Sequence, residues 1–183
     1  MSIKKNKLFN PKADDSISKR RIIKGESTGL FNLGEVKYPW TKQMYQIMVG
    51  NFWVPEKVSG LGDDAIQYGK LTDDERRAYK GIISFLTFLD SIQTVNLPNL
   101  SDFITSSDVN LLLSIQSFQE AIHSQSYTTV LETVVDSKER NDIYYYWRDD
   151  EVLLKRNEYI GNIYQRFLDE PSDENFFAAL VGN

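Results

Sequence analysis

The chain contains no cysteine. Disulfides, thiolate metal sites, iron–sulfur clusters and a cysteine nucleophile are therefore excluded, although that alone does not fix the compartment. Histidine is almost as scarce: His123 is the single one in 183 residues, so chemistry needing two imidazoles from this chain is closed to it. Basic residues are outnumbered, 21 Lys+Arg against 26 Asp+Glu for a net charge of −5, and the cations are scattered. That balance argues against a nucleic-acid backbone as main partner. No run of about 18 apolar residues occurs, and the polar, basic stretch 1–7 has no signal-peptide core after it. The expectation is a cytoplasmic protein with no membrane partner and, at this length, one domain with a sizeable core.

What is present is helical periodicity. Residues 1–36 read as an extended N-terminal arm, in which Leu30 and Phe31 are the apolar pieces available for docking. The helical domain occupies 37–183. Trp40, Met44, Ile47 and Met48 share one face of a first helix ending near Gly50, and 59–70, with three glycines, reads as a loop. Thr72 and Glu75 have the form of a capping box opening a long helix, apolar in its second half, with Pro98 beyond its end. Ser107 is placed to cap a helix reaching about Val135. A polar break follows over 136–142, then a helix near 149–168, and Ser172 caps a last segment, 173–181. Gly182-Asn183 either caps that segment or interrupts a longer buried helix. No strand alternation or internal repeat is visible, so the fold class is an all-α helical bundle.

The chemistry-bearing feature is Glu120-Ala121-Ile122-His123 with Tyr127, inside the longest helix. At about 100° per residue, His123 and Tyr127 lie within about 60° of Glu120, so all three leave one face. A carboxylate and an imidazole at i and i+3 can ligate one ion, as in carboxylate-bridged di-metal bundles, and mixed O/N donors suit iron or manganese. An ordinary Glu–His pair on a helix gives the same spacing. Asp90 ends the apolar run 81–89, where a carboxylate is costly unless paired or metal-bound. Alternatively it lies on a polar side with Ser84, Thr87 and Ser91. Tyr127 reads either as a core aromatic or as a phenol beside a redox metal, and Tyr144-Tyr145-Tyr146-Trp147 as packing surface.

Tyr38-Pro39-Trp40, Asn51-Phe52-Trp53-Val54-Pro55-Glu56, Phe88-Leu89-Asp90-Ser91-Ile92-Gln93 and Glu120 through Tyr127 together resemble the small, radical-generating beta subunit of class I ribonucleotide reductase. The resemblance runs from about residue 30. It implies a ferritin-like di-metal carboxylate helical bundle, of which this chain supplies the N-terminal helices. It makes Asp90, Glu120 and His123 ligands of the first metal, with Glu120 able to bridge to a second, in a di-metal centre with iron preferred over manganese. Tyr127 falls at the radical tyrosine, and Trp53 at the buried tryptophan of electron transfer; as a bare residue Trp53 reads first as a core anchor. The implied activity is ribonucleoside-diphosphate reduction for DNA replication, with the large catalytic subunit as partner and a homodimer of completed small subunits.

The family's second Glu and second Glu-x-x-His have no counterpart in the sequence. The expectation is an N-terminal half, split, cleaved or partial, completed by a complementary C-terminal half. Two other classes stand beside this reading. A ferritin-like iron-handling or oxygenase bundle is opposed by Asp at position 90 and by Tyr127. A non-catalytic helical interaction module would bind no stoichiometric redox metal.

Overall fold

The computed structural model describes residues 2–182. Among them it is all-α, with two isolated β-bridges, Ser2 to Ser172 and Ile23 to Ile104, and no strand. Seven α-helices follow in order: α1 Trp40–Gly50, α2 Leu61–Tyr68, α3 Asp73–Ser101, α4 Ser107–Val134, α5 Ser137–Tyr145, α6 Glu151–Asp169 and α7 Asp173–Val181. None of the helices formed by described residues is long and apolar enough to cross a membrane.

The chain divides into two units. The first comprises Met1–Phe52, Val95–Phe118 and Ile163–Asn183, and the second Trp53–Thr94 and Gln119–Asn162. In the first, Phe167 stacks edge-on with Phe103 and Phe176 at 4.9 and 5.7 Å, beside fully buried Leu97, Leu100 and Ala179. The stretch before α1 is pinned by its backbone, with Ile3 N–H donating to Pro171 O (3.0 Å), Asn6 N–H to Asp102 O (2.7 Å) and Thr105 N–H to Ile22 O (2.7 Å). Buried Ile3 and Arg20 anchor it, whereas Leu30 and Phe31 stay exposed. Backbone pairing, which carries no apolar signature, docks the segment together with Ile3 and Arg20.

The second unit is built on Tyr68, Leu131, Val134, Val135 and Ile143. Three of its features differ from the sequence reading. The presumed loop holds α2: Gly60 takes φ 91° at the helix entry and Asp63 and Asp64 favour the N-terminal dipole. Tyr68 then buries the last turn. The polar break is α5, capped by the Asp136 carboxylate accepting from Lys138 N–H (2.9 Å), with Ile143 at 1% exposure as its one buried residue and Tyr144 packing partly buried beside it. A single buried apolar residue leaves no periodicity to read. Pro98, expected beyond α3, lies inside it. Its missing N–H costs one ladder bond, while the Asn99 amide donates to Val95 O (3.2 Å) in the same turn.

Other termini follow local chemistry. The Thr72–Glu75 box closes both ways, Thr72 N–H to Glu75 Oε2 at 2.8 Å and Glu75 N–H to Thr72 Oγ1 at 3.4 Å. Ser107 is the first residue of α4 rather than its cap. Ser172 Oγ accepts from Asn175 N–H at the start of α7. Gly182 is right-handed, φ −75°, so it makes no left-handed cap; Asn183 lies outside the described residues. The α1 face of Trp40, Met44 and Ile47 is exposed, and Thr41 is the residue that α1 buries.

Candidate metal centre

Two long helices of the second unit set the site. The apolar run of α3 carries Asp90 inward, leaving it 9% exposed, so the buried alternative holds over the solvated one. On α4 the i, i+3 spacing puts Glu120, 8% exposed, beside His123, whose Nδ1 is 3.1 Å from Glu120 Oε2. The same nitrogen is 3.6 Å from Asp90 Oδ2. One donor atom from each of Asp90, Glu120 and His123 lies within 4.8 Å of the others, and they form the one such group of three among the described residues.

Tyr127 joins from one turn further along α4. Its hydroxyl donates to Asp90 Oδ2 at 2.8 Å. Burial first, then this bond to a carboxylate, push the phenol well above its ordinary pKa. Burial likewise pushes the Asp90 carboxyl up, against the opposing pull of the Tyr127 bond and His123. Trp53 lies over the imidazole with ring centroids 6.0 Å apart and planes at 26°, and remains 39% exposed rather than buried. Beside it, Gln125 Nε2 donates to Glu56 Oε1 at 3.4 Å. The Tyr144–Trp147 stretch stays outside the cluster: Trp147 packs on Phe88 at 4.6 Å and Tyr144 joins the second core.

The donor set passes a charge test for a metal ion. Two carboxylates, each about one-tenth exposed, point at one place, and neither has a Lys or Arg in ion-pair reach among the described residues. A single imidazole shared by two buried carboxylates leaves them short of counter-charge, which is strongly disfavoured, and a divalent cation is the counter-charge these donors match. Helical spacing groups Glu120, His123 and Tyr127, whereas pattern leaves Asp90 between buried and solvated, and in the sequence it joins them only through the family resemblance. Spacing could not find the Tyr127–Asp90 bond or the Trp53–His123 stack, because both depend on how separate segments register against one another.

A family model described as "Ribonucleotide reductase, small chain" matches residues 30–183. The ribonucleoside-diphosphate reductase subunit beta of Treponema pallidum is 47% identical over 99% of this chain and 51% of its own length. The ribonucleotide reductase R2 subunit from Clostridium botulinum superposes with TM-score 0.94 at 45% identity, covering all of this chain and 57% of that one. At the level of fold alone, the dimanganese(II)-NrdF of Streptococcus sanguinis superposes with TM-score 0.67 at 21% identity, covering 74% and 48%. The chain thus spans about half the length of that curated relative. A chain that is all-α among its described residues, matches the model across both helices that carry the cluster and shares nearly all of its backbone course with an R2 subunit has the ferritin-like fold and belongs to the ribonucleotide reductase small-chain family.

Proposed function

We propose that this chain is the N-terminal part of the radical-generating small subunit of a ribonucleoside-diphosphate reductase, an oxidoreductase of deoxyribonucleotide biosynthesis. The observation carrying this reading is the convergence of Asp90, Glu120 and His123 with the Tyr127 hydroxyl bonded to Asp90. Asp90, Glu120 and His123 hold one ion of a di-metal centre, iron in preference to manganese, and Glu120 reaches toward the second. When bound, such a pair supplies the oxidising power to remove one electron from a phenol.

The protein's own part is proton and site control. Tyr127 loses an electron and a proton together, and the proton has an acceptor already in place at Asp90 Oδ2. Burial keeps the phenol protonated until then and limits the access of reductants to the oxidised ring. Trp53, in ring contact with His123 and partly open to solvent, is placed to pass an electron between the site and a partner. That partner is the large catalytic subunit, where the nucleotide is reduced.

Three donors serve one ion, and a di-metal site of this type draws on further helices. The remaining Glu and Glu-x-x-His ligands come from a complementary C-terminal half, covering apolar surface such as that of α1. The completed small subunit forms a homodimer and works in the cytoplasm. The test combines this chain with a polypeptide carrying those ligands, adds Fe(II) and dioxygen or Mn(II) with an oxidant, and counts metal alongside electron paramagnetic resonance. Close to two ions per pair and a tyrosyl signal lost in Tyr127→Phe are expected. Absence of stoichiometric redox metal, or a signal indifferent to Tyr127→Phe, overturns the reading.

A further inference from the structure

A second cluster of charged and aromatic residues shares no member with the metal centre. In the second unit, Tyr68, Arg76, Arg77, Lys80, Glu139, Ile143 and Tyr146 enclose a cleft of about 390 Å³. It presents three cations and one carboxylate in a chain of net charge −5. The carboxylate is already committed: Glu139 accepts from the Tyr68 hydroxyl at 3.0 Å and lies 3.8 Å from Arg76 Nη1. Asp150, next to the Tyr146 hydroxyl, is committed as well, its Oδ1 accepting from Val152 and Leu153 N–H at the start of α6 (3.0 Å each). Arg77 and half-buried Lys80 have no carboxylate in ion-pair reach among the described residues.

Two of the three cations are also held in position, and Arg77 stands exposed beside them. The Arg76 guanidinium lies over the Tyr68 ring at 4.7 Å and Lys80 Nζ over the Tyr146 ring at 5.3 Å. Such contacts fix flexible side chains before a ligand arrives, which lowers the ordering cost of binding. Buried Ile143 and Tyr68 form an apolar floor. We propose that this cleft is a binding site for a phosphate-bearing small anion. Arg forks match phosphate oxygens in pairs and Lys adds a point charge. Two cations beyond the committed Arg76–Glu139 pair call for a compact ligand with more than one negative charge, which a monocarboxylate does not supply. The volume falls in the lower part of the range for small-molecule sites, about 300–1,000 Å³.

The test is isothermal titration calorimetry of the full chain with tripolyphosphate and, separately, with ATP, in EDTA and low salt. One site per chain is expected for tripolyphosphate, weakening as salt rises. The double variant Arg77→Ala/Lys80→Ala should lose about tenfold or more in affinity while its helical circular dichroism is unchanged. Lys4→Ala/Lys7→Ala, which removes charge elsewhere, should bind as the unaltered chain does. Equal affinity for both probes identifies the phosphate chain as the recognised group; tighter ATP binding shows that the apolar floor takes an attached ring. Absence of binding at millimolar probe overturns the proposal, and so does undiminished binding by a folded Arg77→Ala/Lys80→Ala. If the double variant fails to fold, Lys80→Met alone must weaken binding.

Discussion

Asp90→Asn should stabilise the metal-free chain while weakening its hold on metal. The substitution keeps shape and leaves an amide oxygen to accept the Tyr127 hydroxyl, which now sits 2.8 Å from Oδ2. What it removes is one of two buried negative charges whose donor oxygens lie within 4.8 Å. At an effective dielectric constant of about 20, two unit charges at that separation repel by about 3 kcal/mol. His123, touching both carboxylates, offsets part of this when it is protonated. A net gain of about 1–3 kcal/mol remains for the variant without metal.

At about 2–4 °C per kcal/mol for a chain of this size, the midpoint should rise by roughly 2–12 °C. The assay is thermal or urea unfolding at pH 7.5, in EDTA and in excess Mn(II). Metal stabilises a folded state in proportion to RT ln(1 + [L]/Kd), so the order of stability should invert: the variant ahead in EDTA, the unaltered chain ahead in Mn(II). If Asp90→Asn lowers stability in EDTA by more than about 1 kcal/mol, the two carboxylates are held together by something other than their joint use, and the ligand assignment loses its physical basis.

Three further outcomes follow from the geometry. Phe167→Ala, at a site with no exposure between two ring partners, should cost about 3–5 kcal/mol in urea unfolding. Thr72→Ala should cost about 1 kcal/mol at neutral pH; because the Thr72 backbone and hydroxyl hold the Glu75 carboxyl below its ordinary 4.5, that deficit should shrink as pH falls through the lowered value, which unfolding curves across the acid range would detect. Trp53→Phe should leave metal affinity, read by Mn(II) titration, intact while altering radical formation or transfer in the reconstituted protein, since Trp53 supplies no donor atom to the group and Phe keeps an aromatic ring over the His123 imidazole.

Legibility tracked the range of the interaction. Caps written in adjacent residues, Thr72 with Glu75 and Ser172 with Asn175, were readable because donor and acceptor are three positions apart. So was the one-face grouping of Glu120, His123 and Tyr127, fixed by helix geometry alone. The helices α2 and α5 were not, because a glycine-rich stretch and a polar stretch became helical through Tyr68 and Ile143 packing on residues far along the chain. Pro98 misled because its cost is local while the packing of α3 beside it, at Leu97 and Leu100, is not. The placement of Asp90 could be narrowed to buried or solvated from pattern, but only the α3–α4 register joins it to His123 and Tyr127.

The same charge arithmetic constrains how the centre is completed. A polypeptide that brings further carboxylates to Asp90 and Glu120 meets repulsion when no cation is present, because the site has a single imidazole and no Lys or Arg among the described residues to offset them. With divalent ions bound, the same carboxylates are attracted. Metal and partner should therefore tighten each other's binding, and thermodynamic linkage requires the factor to be the same in both directions. Coupling of this kind amounts to about 1–3 kcal/mol, or about 5- to 150-fold. Analytical ultracentrifugation of this chain with the complementary polypeptide should show the dissociation constant falling by that order between EDTA and saturating Mn(II), and Asp90→Asn should tighten association in EDTA while reducing the metal response. An association constant indifferent to metal would mean that the contact is built from apolar surface, such as the exposed face of α1, without the ligands meeting.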